Sequence, residues 1–429
     1  MRPGVPSRGT RRAWLRQLGA QTVVGLGLAG PQASAEATAA AGQAGAGGAL
    51  SSGPNNMPQA PTNRRSQHAG ALEQSPSDPV RRGRPLVFPR DHGAHLGSRI
   101  EWWYVTGWLH SAAEARASSG ADTPSPGLMG FQITFFRSRT GLAEGLPGRL
   151  APRHLLFAHA ALTDLGVATH QHDARLARWS GRDETGARVR AAMHDADLAV
   201  HGWRMQREVT PERWVADISA RSFSLRLDMA PTQPLLLQGQ AGFSRKGPQE
   251  AQASHYVSAP HLAVSGQVRR DGRAQQVGGR AWLDHEWSDE LLHPEAVGWD
   301  WIGMNLDDGS ALTAFRLRRA DGSALWAGGS FRAAGSSQAQ DFAPESVVFQ
   351  PGRRWRSASS GGDYPVTWTV QTPAGRFTVQ ALLDAQELDS RSSTGTVYWE
   401  GLCALKDDSG RQRGLGYLEM TGYAGRLQL

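Results

Sequence analysis

The stretch GRAWLDHEW, Gly279–Trp287, decides how the chain is read. Successive residues of an extended strand point to opposite sides, so its side chains divide into two sets. Ala281, Leu283, His285 and Trp287 share one face, and Arg280, Trp282, Asp284 and Glu286 share the other. The first set is the apolar one. It is expected to point inward with His285 as its lone polar group, leaving Asp284 and Glu286 outward, within reach of Arg280 or another cation.

The same texture recurs on both sides of this strand. Short apolar or alternating runs, closed by Gly, Pro, Asp or Asn, include IEWWYVTGWLH (Ile100–His110), GFQITFFRSR (Gly130–Arg139), GWDWIGMNL (Gly298–Leu306) and YWEGLCAL (Tyr398–Leu405). Hairpin signals separate them at Asp307-Asp308-Gly309, Ala320-Asp321-Gly322 and Pro373-Ala374-Gly375. No segment keeps a 3.6-residue apolar period for four turns. The pattern predicts an all-β fold of sandwich or barrel type. EWWYVTGWLH followed by GFQITFFRSR also looks like GWDWIGMNLDDG followed by ALTAFRLRRADG, each a Trp-rich strand leading to a Phe-bearing strand that ends in Arg. Two related β-domains are therefore expected, over residues 85–265 and 266–429. The 17 residues SAAEARASSGADTPSPG between the first pair of strands are expected to form a solvent loop.

Ahead of these domains the composition changes. Residues 1–35 hold Arg2, Arg8, Arg11, Arg12 and Arg16 and no acid, then a weakly apolar Gly/Ala run ending Ala33-Ser34-Ala35. This is the form of a cleaved twin-arginine export signal, placing the mature protein in the periplasm or outside the cell. Residues 36–84 hold few large apolar side chains and read as a linker. Removing the five leader arginines lowers the formal charge of +7 by five, so the basic balance does not argue for nucleic acid as a partner. Cys403 is the only cysteine, which excludes an intrachain disulfide and a Cys-based metal cluster.

The chemistry-bearing residues lie in the Trp-rich strands. Glu101 and Trp103 share one face of IEWWYVTGWLH, and Trp102 and Tyr104 the other; Trp299 and Trp301 stand opposite in phase to Asp300. A carboxylate buried among tryptophans has a raised pKa and serves as a proton donor near neutrality; alternatively, Glu101 and Asp300 form ion pairs with interior arginines such as Arg137 or Arg316. There is no Gly-x-Ser-x-Gly elbow, no P-loop and no Gly-x-Gly-x-x-Gly unit, so no cofactor is expected. His285-Glu286 begins a zincin-like string but lacks the second His, and no local histidine spacing suggests a metal.

Taken in order, EWWYVTGWL, GFQITFFRSR, FSRKGP, SHYVSAPHLAVSGQV, GGRAWLDHEWSDE, GWDWIGMNLDDGSALTAFRLR and GLGYLEMTGY resemble the lipocalin-like carotenoid 1,2-hydratase and AttH family, whose members are often described as predicted secreted hydrolases. The resemblance spans about residues 86–425 and implies two tandem lipocalin-like antiparallel β-barrel domains around a hydrophobic pocket. It implies acid-catalysed addition of water to an alkene of an isoprenoid- or lipid-like molecule, with aromatic faces stabilising the cation. The hydratases' His-x-Trp matches His285-Glu286-Trp287, whereas their Tyr-x-Asp has no counterpart in SALTAFRLRR. The catalytic candidates are therefore His285, Asp300 and Glu101, with Trp102, Trp103, Tyr104, Trp287, Trp299 and Trp301 lining the pocket. Two other readings use the same pocket: a non-catalytic periplasmic carrier of a hydrophobic ligand working beside a membrane exporter, and a secreted hydrolase.

Overall fold

Chain segments with an apolar set on each face form strands that need cover on both sides, and two packed sheets provide it. The computed structural model describes residues 80–111, 127–141, 152–182, 186–289 and 292–426, all within the compact unit Leu72–Leu429. The segment expected to be an export signal, most of the expected linker and nearly all of the SAAEARASSGADTPSPG insertion lie outside the described residues. Among the described residues the only helical turns are short 3-10 pieces at Arg90–His92 and Pro344–Ser346, so the all-β expectation is met.

The first sheet begins with β1 (Ile100–Ser111), β2 (Met129–Arg139), β3 (His154–Asp164) and β4 (Thr169–Trp179). It continues through β5 (Val189–Ala191), β6 (Asp197–Val200), β7 (Trp203–Val209), β8 (Glu212–Ser219) and β9 (Phe223–Ala230). The short β10 (Leu236–Leu237) and β11 (Phe243–Arg245) lead into the long hairpin of β12 (Ala253–Arg270) and β13 (Arg273–Ser288). Its strand order is β4-β3-β2-β1-β13-β12-β9-β8-β7-β6-β5, antiparallel throughout, and the end strands β4 and β5 lie beside each other, so the sheet nearly closes into a barrel. Trp103, Val105, Phe131, Leu225 and Leu283 belong to the core that fills it.

The second sheet is built from β14 (Gly298–Leu306), β15 (Ala311–Arg318), β16 (Ala324–Arg332) and β17 (Gln340–Asp341). After β18 (Val348–Pro351) and the separate pair β19 (Arg354–Arg356) and β20 (Asp363–Pro365), it adds β21 (Thr367–Thr372) and β22 (Gly375–Ala381). It ends with β23 (Glu387–Ser390), β24 (Thr396–Lys406) and β25 (Gln412–Met420). Its main order is β17-β16-β15-β14-β25-β24-β22-β21-β18.

The run β2-β1-β13-β12 of the first sheet and the run β15-β14-β25-β24 of the second have the same connectivity. Their registers match as well. Glu101 stands opposite Arg137, and Asp300 opposite Arg316; Trp102 lies between Phe136 and Glu286, and Trp301 between Phe315 and Glu419. The internal likeness read in the sequence is thus a likeness of strand pairing.

Candidate functional site

The two matched runs enclose a cavity of about 340 Å³ between the sheets. Trp102, Phe136 and Phe157 form one wall, and Trp299, Trp301 and Phe315 form the other. Gly303 is needed here, because a Cβ at that position would come within 2.4 Å of the Trp301 ring that lies across it. Of the residues expected to line a pocket, Trp102, Tyr104, Trp299 and Trp301 do so.

The other expected site residues lie elsewhere. Trp103 belongs to the core of the first sheet, and Trp287 and His285 are on the same side of β1 and β13. His285 stacks on Trp103 at 4.7 Å, and its Nε2 lies 3.0 Å from Glu101 Oε1. Glu101, with no exposed surface, also receives the His95 Nδ1 at 2.7 Å, the His95 backbone N–H at 3.0–3.1 Å, and the Arg137 Nε–H at 2.7 Å on Oε2. Burial alone would raise the Glu101 carboxyl, but Arg137 beside it and hydrogen bonds from His285 and His95 hold it well below the usual range. Asp300 is the counterpart in the second sheet, accepting from Arg316 Nε at 2.7 Å and from the Tyr423 hydroxyl at 2.8 Å. Neither His285, Glu101 nor Asp300 borders the cavity; Glu101 and Asp300 take the ion-pair alternative, with the arginines read from sequence.

His95, Glu101 and His285 bring three potential ligand atoms within 4.8 Å of one another, which raises a metal site as a candidate. The donor set argues otherwise. Every contact to the Glu101 carboxylate is an N–H donor, and His95 Nε2 turns to Asp91 Oδ1 at 3.1 Å. With both ring nitrogens of His95 facing carboxylates, the cluster is a hydrogen-bonded network centred on Glu101.

The carboxylates that do reach the cavity are those the alternation had been expected to turn outward. Asp284 and Glu286 are both buried and line it, together with Glu400 and Glu419 from the second sheet. The expectation of an outward face fails because β13 is covered on both sides: one face packs into the barrel and the other meets the second sheet. Asp284 is the hub. Its Oδ1 accepts from Ser258 at 2.5 Å and Trp282 Nε1 at 2.7 Å, and its Oδ2 from the Tyr256 hydroxyl at 2.7 Å. Trp301 Nε1 of the opposite sheet donates to the Tyr256 oxygen at 3.0 Å. Burial pushes Asp284 up to about 7 against these three hydrogen bonds, and the charge of Glu286 adds to the rise. Glu286 is paired with Lys246 at 2.9 Å and also accepts from Ser254. The Lys246 ammonium rests over the rings of Phe315 and Tyr256, at 4.2 and 4.5 Å.

Glu400 and Glu419 face each other across β24 and β25. Burial, and the proximity of Glu419, raise Glu400 well above the usual carboxylate range. Glu419 rises to about 8 through burial, with the Trp299 indole opposing and the charges of Asp284 and Glu286 adding. A carboxyl whose folded-state pKa is raised from 4.5 to about 8 favours folding fully below 4.5 and loses that contribution as pH rises through 8. Glu419→Gln is therefore expected to match the parent protein near pH 4.5 and to exceed its stability by one to a few kcal/mol at pH 9. Urea unfolding at the two pH values measures this; an equal or lower stability of the variant at pH 9 would refute the buried-proton assignment.

Glu400 and Glu419 were visible as lone acids in YWEGLCAL and GYLEM, the same signal used for Glu101 and Asp300. Tyr256 and Lys246 carried no local signal, because the first acts through Asp284, 28 residues away, and the second through Glu286.

The AttH-like family model matches residues 79–423. A solved structure from Nitrosomonas europaea, assigned as an AttH, is 46% identical and superposes with a TM-score of 0.71, covering 80% of this chain and 99% of that one. Kievitone hydratase from Nectria haematococca is 13% identical at a TM-score of 0.58, covering 80% of this chain and 94% of that one, and shares the fold. No curated protein sequence matches the chain significantly. With a cavity between two sheets of matching topology, a family model covering most of its length and a solved relative of high identity, the chain belongs to the AttH-like family.

Proposed function

We propose that the protein binds an apolar, isoprenoid- or lipid-like molecule in the inter-sheet cavity and adds water across an alkene by acid catalysis. The observation that carries this reading is a buried acid, Asp284, brought near neutrality in a cavity walled by tryptophan and phenylalanine rings. Protonated Asp284 reverses its hydrogen bond to Tyr256, so that the phenol accepts from Asp284 and Trp301 and aims its own O–H at the ligand. Transfer of that proton to the alkene carbon, with the Asp284 proton passing to the phenol oxygen, leaves Asp284 ionised and a carbocation on the ligand, with no phenolate formed. The faces of Trp102, Trp299 and Trp301 lower the energy of the cation. Water then forms the C–O bond and gives its extra proton back to Asp284 through Tyr256, so the net change is addition of one water molecule. The common fold with kievitone hydratase is compatible with this use of the cavity.

The protein, incubated with a panel of terpenoid and fatty alkenes in ¹⁸O-labelled water, is expected to yield an alcohol carrying the label, detected by mass spectrometry. A ligand that binds but never acquires the label would replace this reading with that of a carrier. A carboxylic acid product carrying the label would indicate hydrolysis.

A further inference from the structure

We infer that the far end of the cavity, around His159, is a subsite for the uncharged hydrogen-bonding terminus of an elongated ligand, an alcohol or carbonyl compound, which sets how far from that terminus the reacting bond lies. The inference rests on the cavity being the ligand site. Its own support is the arrangement of one row of side chains across the first sheet. His159 stands opposite Thr134, Thr134 opposite Tyr104, and Tyr104 opposite Asp284. All four line the cavity, and three strand spacings place His159 about 14 Å from Asp284.

The two ends differ in chemistry. Near Asp284 the polar groups include carboxylates and one ammonium, whereas both side-chain partners of His159 are hydroxyls. Its Nδ1 lies 2.9 Å from the Tyr398 hydroxyl and its Nε2 lies 2.9 Å from Ser393 Oγ, both contributed by the second sheet and its β23–β24 turn. Burial lowers His159 to about 4, so the ring is neutral at physiological pH and offers one donor and one acceptor without charge. Ser393 is half-buried on a turn and also donates to the Ser390 carbonyl at 3.1 Å, so it can leave His159 Nε2 while keeping a partner. A ligand oxygen taking its place meets a neutral donor, with the T-shaped Phe136 ring 5.3 Å away to cover the adjoining carbon chain. An anionic terminus finds no charged partner in the His159 ring, which is neutral, whereas an alcohol or carbonyl oxygen needs only a neutral donor.

The test uses displacement of the neutral fluorescent probe N-phenyl-1-naphthylamine by 1-decanol, its methyl ether and decane. In His159→Phe the ratio of decanol to decane affinity is expected to fall about tenfold, and in Ser393→Ala, which removes the hydroxyl that the ligand oxygen displaces, to rise about threefold, with decane binding unchanged. Ser393→Ala removes one hydroxyl from a turn and covers the case in which His159→Phe fails to fold. If decane and decanol displace the probe but the ratio is the same in all three proteins, the subsite is refuted while the cavity stands. If none of the three compounds displaces the probe, or the probe does not bind, the cavity reading and the subsite fall together.

Discussion

Asp284→Asn is expected to lower the rate of alkene hydration by about 10²- to 10⁴-fold while leaving ligand affinity within a few-fold of the parent. The amide has the shape of the carboxyl group. Its oxygen can keep the bonds from Ser258 and Trp282, and its NH₂ can donate to Tyr256, which rotates its hydroxyl to suit. What disappears is the exchangeable acid proton. Because Asp284 lies near 7, the hydration rate of the parent protein is expected to be sustained below pH 7 and to decline above it as the acid ionises. Initial rates from pH 5 to 9, with affinity measured separately by quenching of the cavity tryptophans, separate the chemical role from a binding role. Hydration by Asp284→Asn at the parental rate would remove Asp284 from the mechanism. A rate loss matched by an equal loss of affinity would make it a structural residue of the cavity.

The second large effect concerns stability. Arg137→Leu is expected to destabilise the fold by about 3–5 kcal/mol, measured by urea unfolding at pH 7, since removing one partner strands the others in an interior without water. Arg137 and Glu101 have no exposed surface, and Arg137 also donates from Nη2 to the carbonyls of His95 and Ser98 at 2.7 and 2.9 Å. Its loss would therefore leave a carboxylate and two backbone acceptors short of donors at once. The same network ties residues 91–98 to the barrel: His95 stacks on Trp287 at 3.7 Å and joins Glu101 to Asp91, and the Trp103 indole donates to the His92 carbonyl at 2.9 Å. Surface arginine pairs such as Arg319–Glu295 serve as the control, where substitution is expected to leave the urea midpoint nearly unchanged. A loss below about 1 kcal/mol for Arg137→Leu would show that the interior network contributes little.

These two sites illustrate how far the sequence could be read. The all-β class, the strands and the likeness of the two Trp-rich hairpins followed from local alternation and turn chemistry, which depend only on neighbouring residues. So did the partition of Trp102 from Trp103, and of Asp284 from His285, because a period of two holds wherever the chain is extended. Even the arginines that pair with Glu101 and Asp300 are legible in the sequence, each sitting on the adjacent strand of a hairpin.

The tertiary structure alone decided which set of side chains meets the inter-sheet cavity. Both faces of β1 and β13 are buried, so alternation sorts residues into two groups without saying which group looks into the barrel and which looks across to the second sheet. Glu101 and His285 share the barrel side, and Asp284 and Glu286 share the inter-sheet side. The acid environment of Glu419 depends on Asp284 and Glu286, more than 130 positions earlier, and the His159–Ser393 pair spans 234 positions. Contacts at such separations are set by the packing of one sheet on the other, and a pattern confined to one strand carries no record of them.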